Sequence, residues 1–160
     1  MKFIKENYLF FILIIILFLI DRIAKIKALE ILQDKELIFI NDYLNIDLVF
    51  NTGIGFGLLS FNEGIYYNLI TLLIFSIILV LFFFMLKSTL REKLFFSLII
   101  GGAIGNLYDR FIFQAVPDFI DLHFREFHWF TFNIADIFIS IGIIFMIINE
   151  LTLKKLKNEN

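Results

Sequence analysis

From Ile65 to Leu86 the chain runs for 22 residues without a charged side chain. About 20 apolar residues in a helix cover the hydrocarbon of a bilayer, so this run reads as a membrane span. Three other apolar stretches, Tyr8 to Ile20, Leu94 to Leu107 and Ile134 to Ile148, reach that length only by taking in their polar flanks. Composition points the same way. Hydrophobic residues make up 60% of the 160, with 23 Phe and one Pro, whereas soluble domains hold about 45–50%. Disordered, collagen-like and disulfide-scaffold chains are excluded. With no cysteine, thiolate nucleophiles and Cys-based metal sites are excluded too. A net charge of −2 gives no reason to expect a nucleic-acid partner.

The expected fold class is therefore membrane α-helical: four transmembrane helices with approximate spans 8–28, 65–86, 94–112 and 132–151, in one domain covering 1–160. The segment 30–64, between helices one and two, alternates Leu37, Phe39, Leu44, Ile46, Leu48 and Phe50 around the turn residues Asn41 and Asp42. That pattern predicts short strands, hence a small extracytoplasmic β-sheet and loop region ending in a turn with Gly53, Gly55 and Gly57. Lys2 and Lys5 ahead of the first apolar run resemble a secretory leader, but Asp21-Arg22 follows instead of a small-residue cleavage site. The run is expected to stay as the first span.

Orientation follows from the basic residues. The N-terminal flank, the Lys87 to Lys93 connection and the C-terminal tail carry eight Lys and Arg against four acids; the other face carries six against twelve. Both termini are thus expected to be cytoplasmic. The polar residues inside the spans (Asp21, Lys25, Asn106, Asp109, Arg110, Asn133 and Asp136) then all gather toward the outer face. Such clustering suggests a functional site, because embedded charges are costly.

Asn106, Asp109 and Arg110 lie at i, i+3 and i+4 and share a helix face. Gly101, Gly102, Ala103 and Gly105 before them offer a smooth surface for a neighbouring helix. Asp109 and Arg110 are read equally well as a structural anchor, and Asp21 with Lys25 as a helix-end ion pair. Asp118 and Asp136 stand apart. Pro117 gives Asp118 an extended setting, and Asp136 is set in an apolar span. Two carboxylates brought together can share one proton, leaving the other as a base able to activate water for peptide hydrolysis. His123 and His128, read as outer-loop residues, form no H-E-x-x-H pattern, and no serine occupies a G-x-S-x-G turn. Trp129 with Phe127 and Phe130 reads as an interfacial aromatic belt. An ion path lined by embedded charges and a noncatalytic membrane scaffold are the competing readings.

The motifs D-R-I-A-K (21–25), F-N-T-G-I-G-F-G (50–57), G-G-A-I-G-N-L-Y-D-R (101–110), V-P-D-F-I-D (116–121) and F-N-I-A-D (132–136), in this order and spacing, resemble the lipoprotein signal peptidase (signal peptidase II) family. The resemblance implies an aspartic endopeptidase of the bacterial inner membrane that removes signal peptides from diacylglyceryl-modified prolipoproteins by cleaving before the lipidated cysteine. It implies Asp118 and Asp136 as catalytic residues, with Asn51, Gly53, Asn106, Asp109, Arg110, Asn133 and Ala135 binding substrate or supporting the site. Asp21 and Lys25 match a D-x-x-x-K pattern read as structural. No metal or cofactor is expected, and the implied partners are prolipoproteins and membrane lipids, acting on a monomer whose site faces the periplasm. Ile54, Gly55 and Gln114 depart from the family pattern and bear on the shape of the substrate groove.

Overall fold

The computed structural model describes residues 2–33, 37–53 and 64–158. Among these, four helices, α1 (Lys2–Leu32), α2 (Ile65–Lys87), α3 (Leu90–Phe113) and α4 (Ile134–Asn158), accompany four strands: β1 (Leu37–Asn41), β2 (Leu44–Asn51), β3 (Val116–Phe124) and β4 (Phe127–Phe132). The part of the glycine-rich turn beyond Gly53, with Ile54, Gly55 and Gly57, lies outside the described residues.

Helix α3 is central and packs against α1, α2 and α4. It starts at a capping box: Thr89 Oγ1 accepts from the Glu92 N–H, and the Glu92 carboxylate accepts from the Thr89 N–H at 2.9 Å. Each bond satisfies an N–H that the helix itself leaves unpaired. Ile14, Ile78, Met85, Phe96, Ile100 and Leu107 form the packed core. The outward faces stay apolar, as at Leu72, Leu79, Val80 and Phe83 of α2 and Ile144 and Ile147 of α4. By length and composition, α2 and α4 are each able to cross a membrane.

The small residues of α3 do bring its neighbours into backbone contact. A Cβ on Gly102 would lie 2.4 Å from the Ala135 carbonyl oxygen, and one on Gly105 would lie 2.5 Å from Asp21 Oδ2. Polar groups of three helices can therefore meet beside α3.

The strands form one antiparallel sheet in the order β1-β2-β3-β4. The predicted strands of the 30–64 segment are present as β1 and β2, although α1 runs on to Leu32. The sheet is larger than expected, because the stretch between α3 and α4 supplies β3 and β4. His123 and His128 are thus cross-strand partners rather than loop residues, and Phe127, Trp129 and Phe130 belong to β4. The aromatic-rich sequence of β4 suits a strand, and Arg125 makes the tight turn before it in the left-handed conformation, φ 56°. Pro117 is tolerated inside β3 because β4 pairs only from Ile120 onward. At Pro117 the strand has an open side where no N–H is needed.

Candidate active site

Asp21 and Lys25 come one turn apart on α1, but not at its end, as the sequence suggested. Both are fully buried where α1, α3 and α4 meet. Lys25 Nζ lies 2.8 Å from Asp21 Oδ2 and 2.6 Å from Asp109 Oδ2, and donates to Asn106 Oδ1 at 2.8 Å. Arg22 pairs with the other oxygen of Asp109 and lies over the Tyr108 ring. The second oxygen of Asp21 accepts the Ala135 N–H at 3.0 Å, at the start of α4. Two acids and two bases thus balance in a space with almost no access to water. Removing one partner from such a group is far more costly than the net worth of the group.

Asn106 continues the network to the acids. Its Oδ1 accepts a hydrogen bond from Lys25, and its Nδ2 donates to Asp136 Oδ1 at 2.8 Å. Asp136 sits in the first turn of α4, where Asn133 and Asp136 hydrogen-bond reciprocally: the Asp136 N–H to Asn133 Oδ1 at 3.1 Å and the Asn133 N–H to Asp136 Oδ2 at 3.2 Å. This is the capping-box arrangement with aspartate as the acid. The remaining end of the Asn133 side chain, Nδ2, donates to Asp118 Oδ1 at 2.5 Å. Asn51 at the end of β2 donates to the other Asp118 oxygen at 2.9 Å and accepts the Gly53 N–H at 2.8 Å. Strand pairing explains the approach, since Asn51 and Val116 are register partners on β2 and β3.

Asp118 and Asp136 line the same cavity of about 250 Å³, together with Asn51, Asn106, Arg110 and Ser140. Burial, and then the negative charge of Asp136, raise Asp118 from the ordinary 3.8 to about 7. Arg110 is buried, donates to the Gly53 carbonyl and receives the Tyr67 hydroxyl on its own carbonyl at 3.1 Å. Its Nε and Nη1 have no hydrogen-bond partner among the described residues. Among the described residues, no group of three His, Cys, Asp or Glu side chains is arranged to hold a metal ion.

The structure thus brings Asn51, Asn106, Arg110, Asp118 and Asp136 to one cavity and ties Gly53, Asn133 and Ala135 to its walls. Asp109 faces away from Arg110, toward Arg22 and Lys25. Arg22, Tyr67 and Ser140 were not singled out from sequence. Arg22 had one visible signal, a second charge beside Asp21 in an apolar stretch, whereas Tyr67 and Ser140 had none.

A family model described as signal peptidase (SPase) II matches residues 13–152. The lipoprotein signal peptidase of Pelagibacter ubique is 48% identical over 149 residues, covering 92% of this chain and 90% of that protein. The lipoprotein signal peptidase of Thermodesulfovibrio yellowstonii is 38% identical, covering 86% of this chain and 91% of that protein. A solved bacterial membrane enzyme superposes with a TM-score of 0.72 at 28% identity, covering 94% of this chain and 91% of its own.

Proposed function

Because the chain belongs to the signal peptidase II family, we propose that it is an aspartic endopeptidase that cleaves lipid-modified prolipoproteins before the lipidated cysteine. The observation that carries this reading is the linkage of Asp118 and Asp136 through one side chain, Asn133, on the wall of one cavity. Membership of a peptidase family leaves the ion-path and scaffold readings without support.

All four helices span the inner membrane as a single domain, with both termini in the cytoplasm. The distribution of Lys and Arg supports this orientation, and the apolar outer faces of the helices support their insertion. The cavity then opens at the periplasmic side, at the level of the sheet.

In the resting site Asp118 holds a proton and Asp136 is ionised at the start of α4, where the helix end favours a carboxylate. The scissile carbonyl lies between them with a water. Asp136 takes a proton from the water as its oxygen bonds to the carbonyl carbon, and Asp118 gives its proton to the carbonyl oxygen. Asp136 then protonates the amide nitrogen, the C–N bond breaks, and a hydroxyl proton of the collapsing intermediate returns to Asp118. Both acids end as they began, and one water has been consumed. Asn51 and Asn133 hold Asp118 at both oxygens, and Asn106 holds Asp136. Arg110, on the cavity wall, supplies a fixed positive charge beside the substrate. Acyl chains on the cysteine stay in the bilayer, at about 0.8 kcal/mol per buried CH₂, and set the depth of the peptide bond.

The purified protein in lipid nanodiscs, given a lipobox peptide with and without diacylglyceryl on its cysteine, tests this reading. Mass spectrometry should find one cut, immediately before the lipidated cysteine, and none in the unmodified peptide. Cleavage elsewhere, or equal cleavage of both, would contradict it.

A further inference from the structure

Helices α2 and α4 each pack on α3, and a cleft floored by α3 runs between them. Its outer part is the acid-lined cavity, bounded by Ile74, Asn106 and Ile139. One helical turn beyond Ser140, a second cavity of about 440 Å³ begins at Ile143, walled by Phe84, Phe96 and Met146. At its inner end this second cavity reaches Glu92 on α3 and Glu150 on α4, the only charged side chains among the described residues that line it.

These acids are exceptional for their place. The cytoplasmic face carries eight basic residues and only four acids, and two of the four border this one opening. Glu92 spends one oxygen on the cap of α3. Among the described residues Glu150 is held by an exposed pair with Lys154 at 3.2 Å, a contact weak enough to exchange. Of the other nearby cations, Arg91 bonds Asn149 at 3.4 Å, and Lys93 is buried against Asn7 on α1.

The spacing is the second observation. Asn106 and Asp136, hydrogen-bonded at the acid cavity, lie fourteen residues from Glu92 and Glu150 along α3 and α4 respectively. At 1.5 Å per residue, both acids are about 21 Å inward of the reacting groups. A signal peptide consists of a basic n-region followed by an apolar stretch of about 7–15 residues and the cleavage site. Laid as a helix in this cleft with its scissile bond at Asp136, it would bring its first basic residues to Glu92 and Glu150.

We propose that the cytoplasmic end of the α2–α4 cleft is a recognition site for the basic n-region of the signal peptide, with Glu92 and Glu150 as its counter-charges. The cleft thereby also measures the distance from the basic residues to the cleaved bond. This inference rests on the peptidase reading above and extends it to the far end of the substrate.

The test uses the full-length protein in zwitterionic nanodiscs, where lipid charge cannot substitute for the acids. Two diacylglyceryl lipobox peptides differ only in n-region, three Lys in one and three Gln in the other. The protein should cleave the Lys peptide with a kcat/KM about five- to tenfold higher, the range expected of two solvent-accessible ion pairs, and the preference should shrink in high salt. In Glu92→Gln/Glu150→Gln, where Gln retains the helix cap, the ratio should approach one; Glu92→Lys/Glu150→Lys should favour a peptide with three Glu. A series with the unaltered protein needs no variant to fold: moving the Lys residues four positions further from the bond should remove most of the preference. Equal cleavage of the Lys and Gln peptides would overturn the inference and leave the peptidase reading intact, as would a preference that survives the double Gln substitution or the lengthened peptide. Cleavage of neither peptide would overturn both.

Discussion

Asn133 and Asp136 hold each other at the start of α4, each accepting the other's backbone N–H, and the same Asn133 side chain donates to Asp118 at 2.5 Å. One amide therefore caps a helix and spaces two acids that are 18 residues apart in sequence. Asn133→Ala should cost about 1 kcal/mol from the lost cap. It should cost far more in rate, about 10²-fold in kcat, because both acids lose their register. Thermal unfolding beside steady-state cleavage separates the two effects. Asn133→Asp, which retains an acceptor for the cap but places a third buried carboxylate beside Asp118 and loses the donor to it, should restore neither rate nor stability.

The pH dependence follows from Asp118. Its carboxyl is raised from 3.8 to about 7, so the folded protein binds a proton that the unfolded chain releases between these values. The stabilisation from that proton is complete below about pH 4, declines as the pH rises, and is gone above about 7. In the proposed mechanism cleavage needs the same proton, so kcat/KM should fall as the pH passes about 7. The Asn51 hydrogen bond favours the ionised form. Asn51→Ala should therefore lower the rate yet move the alkaline limb to higher pH, and a limb that stayed in place would remove Asp118 from that role.

Lys25 balances Asp21 and Asp109 in full burial. Lys25→Ala leaves only Arg22 against two acids and should destabilise the fold by about 3–5 kcal/mol, read as a loss of thermal stability in detergent. Arginine should rescue little, since Asn106, Asp21 and Asp109 surround a single ammonium position.

Gln114 ends α3 with φ 54° and ψ 19°, the left-handed conformation. Glycine adopts this conformation most readily, and Gln114 is one of the positions that depart from the family pattern. A side chain there costs about 1 kcal/mol relative to glycine. Gln114→Gly should stabilise the protein by about that amount. Unchanged or reduced stability would show that Gln114 makes a compensating contact.

Much of the site was legible because its chemistry is concentrated where chemistry is costly. Asp136, Asn106 and Lys25 announce themselves in apolar stretches, and alternating helix directions put them at one end of the bundle without any knowledge of packing. The roles of these residues were less legible. Asp109 was grouped with Arg110 by helical spacing, yet its partners lie on α1, because the close approach allowed by Gly101 and Gly105 decides which face meets which helix. The strands β3 and β4 escaped notice because Phe127 to Phe132 reads equally well as an aromatic belt, and only pairing with β2 and the turn at Arg125 makes it part of a sheet. Asn133 looked like one motif residue among several; its hydrogen bond to Asp118 depends on where that residue arrives from another element.

The account stands on two carboxylates acting as one unit, and single-turnover cleavage by Asp118→Asn, Asp136→Asn and the double variant tests this most directly, with folding checked by circular dichroism. Each single variant should lose at least about 10³-fold in rate, and the double should lose no more than either alone, because groups that share one proton fail together. Substantial cleavage by either single variant, or losses that multiply in the double, would contradict it.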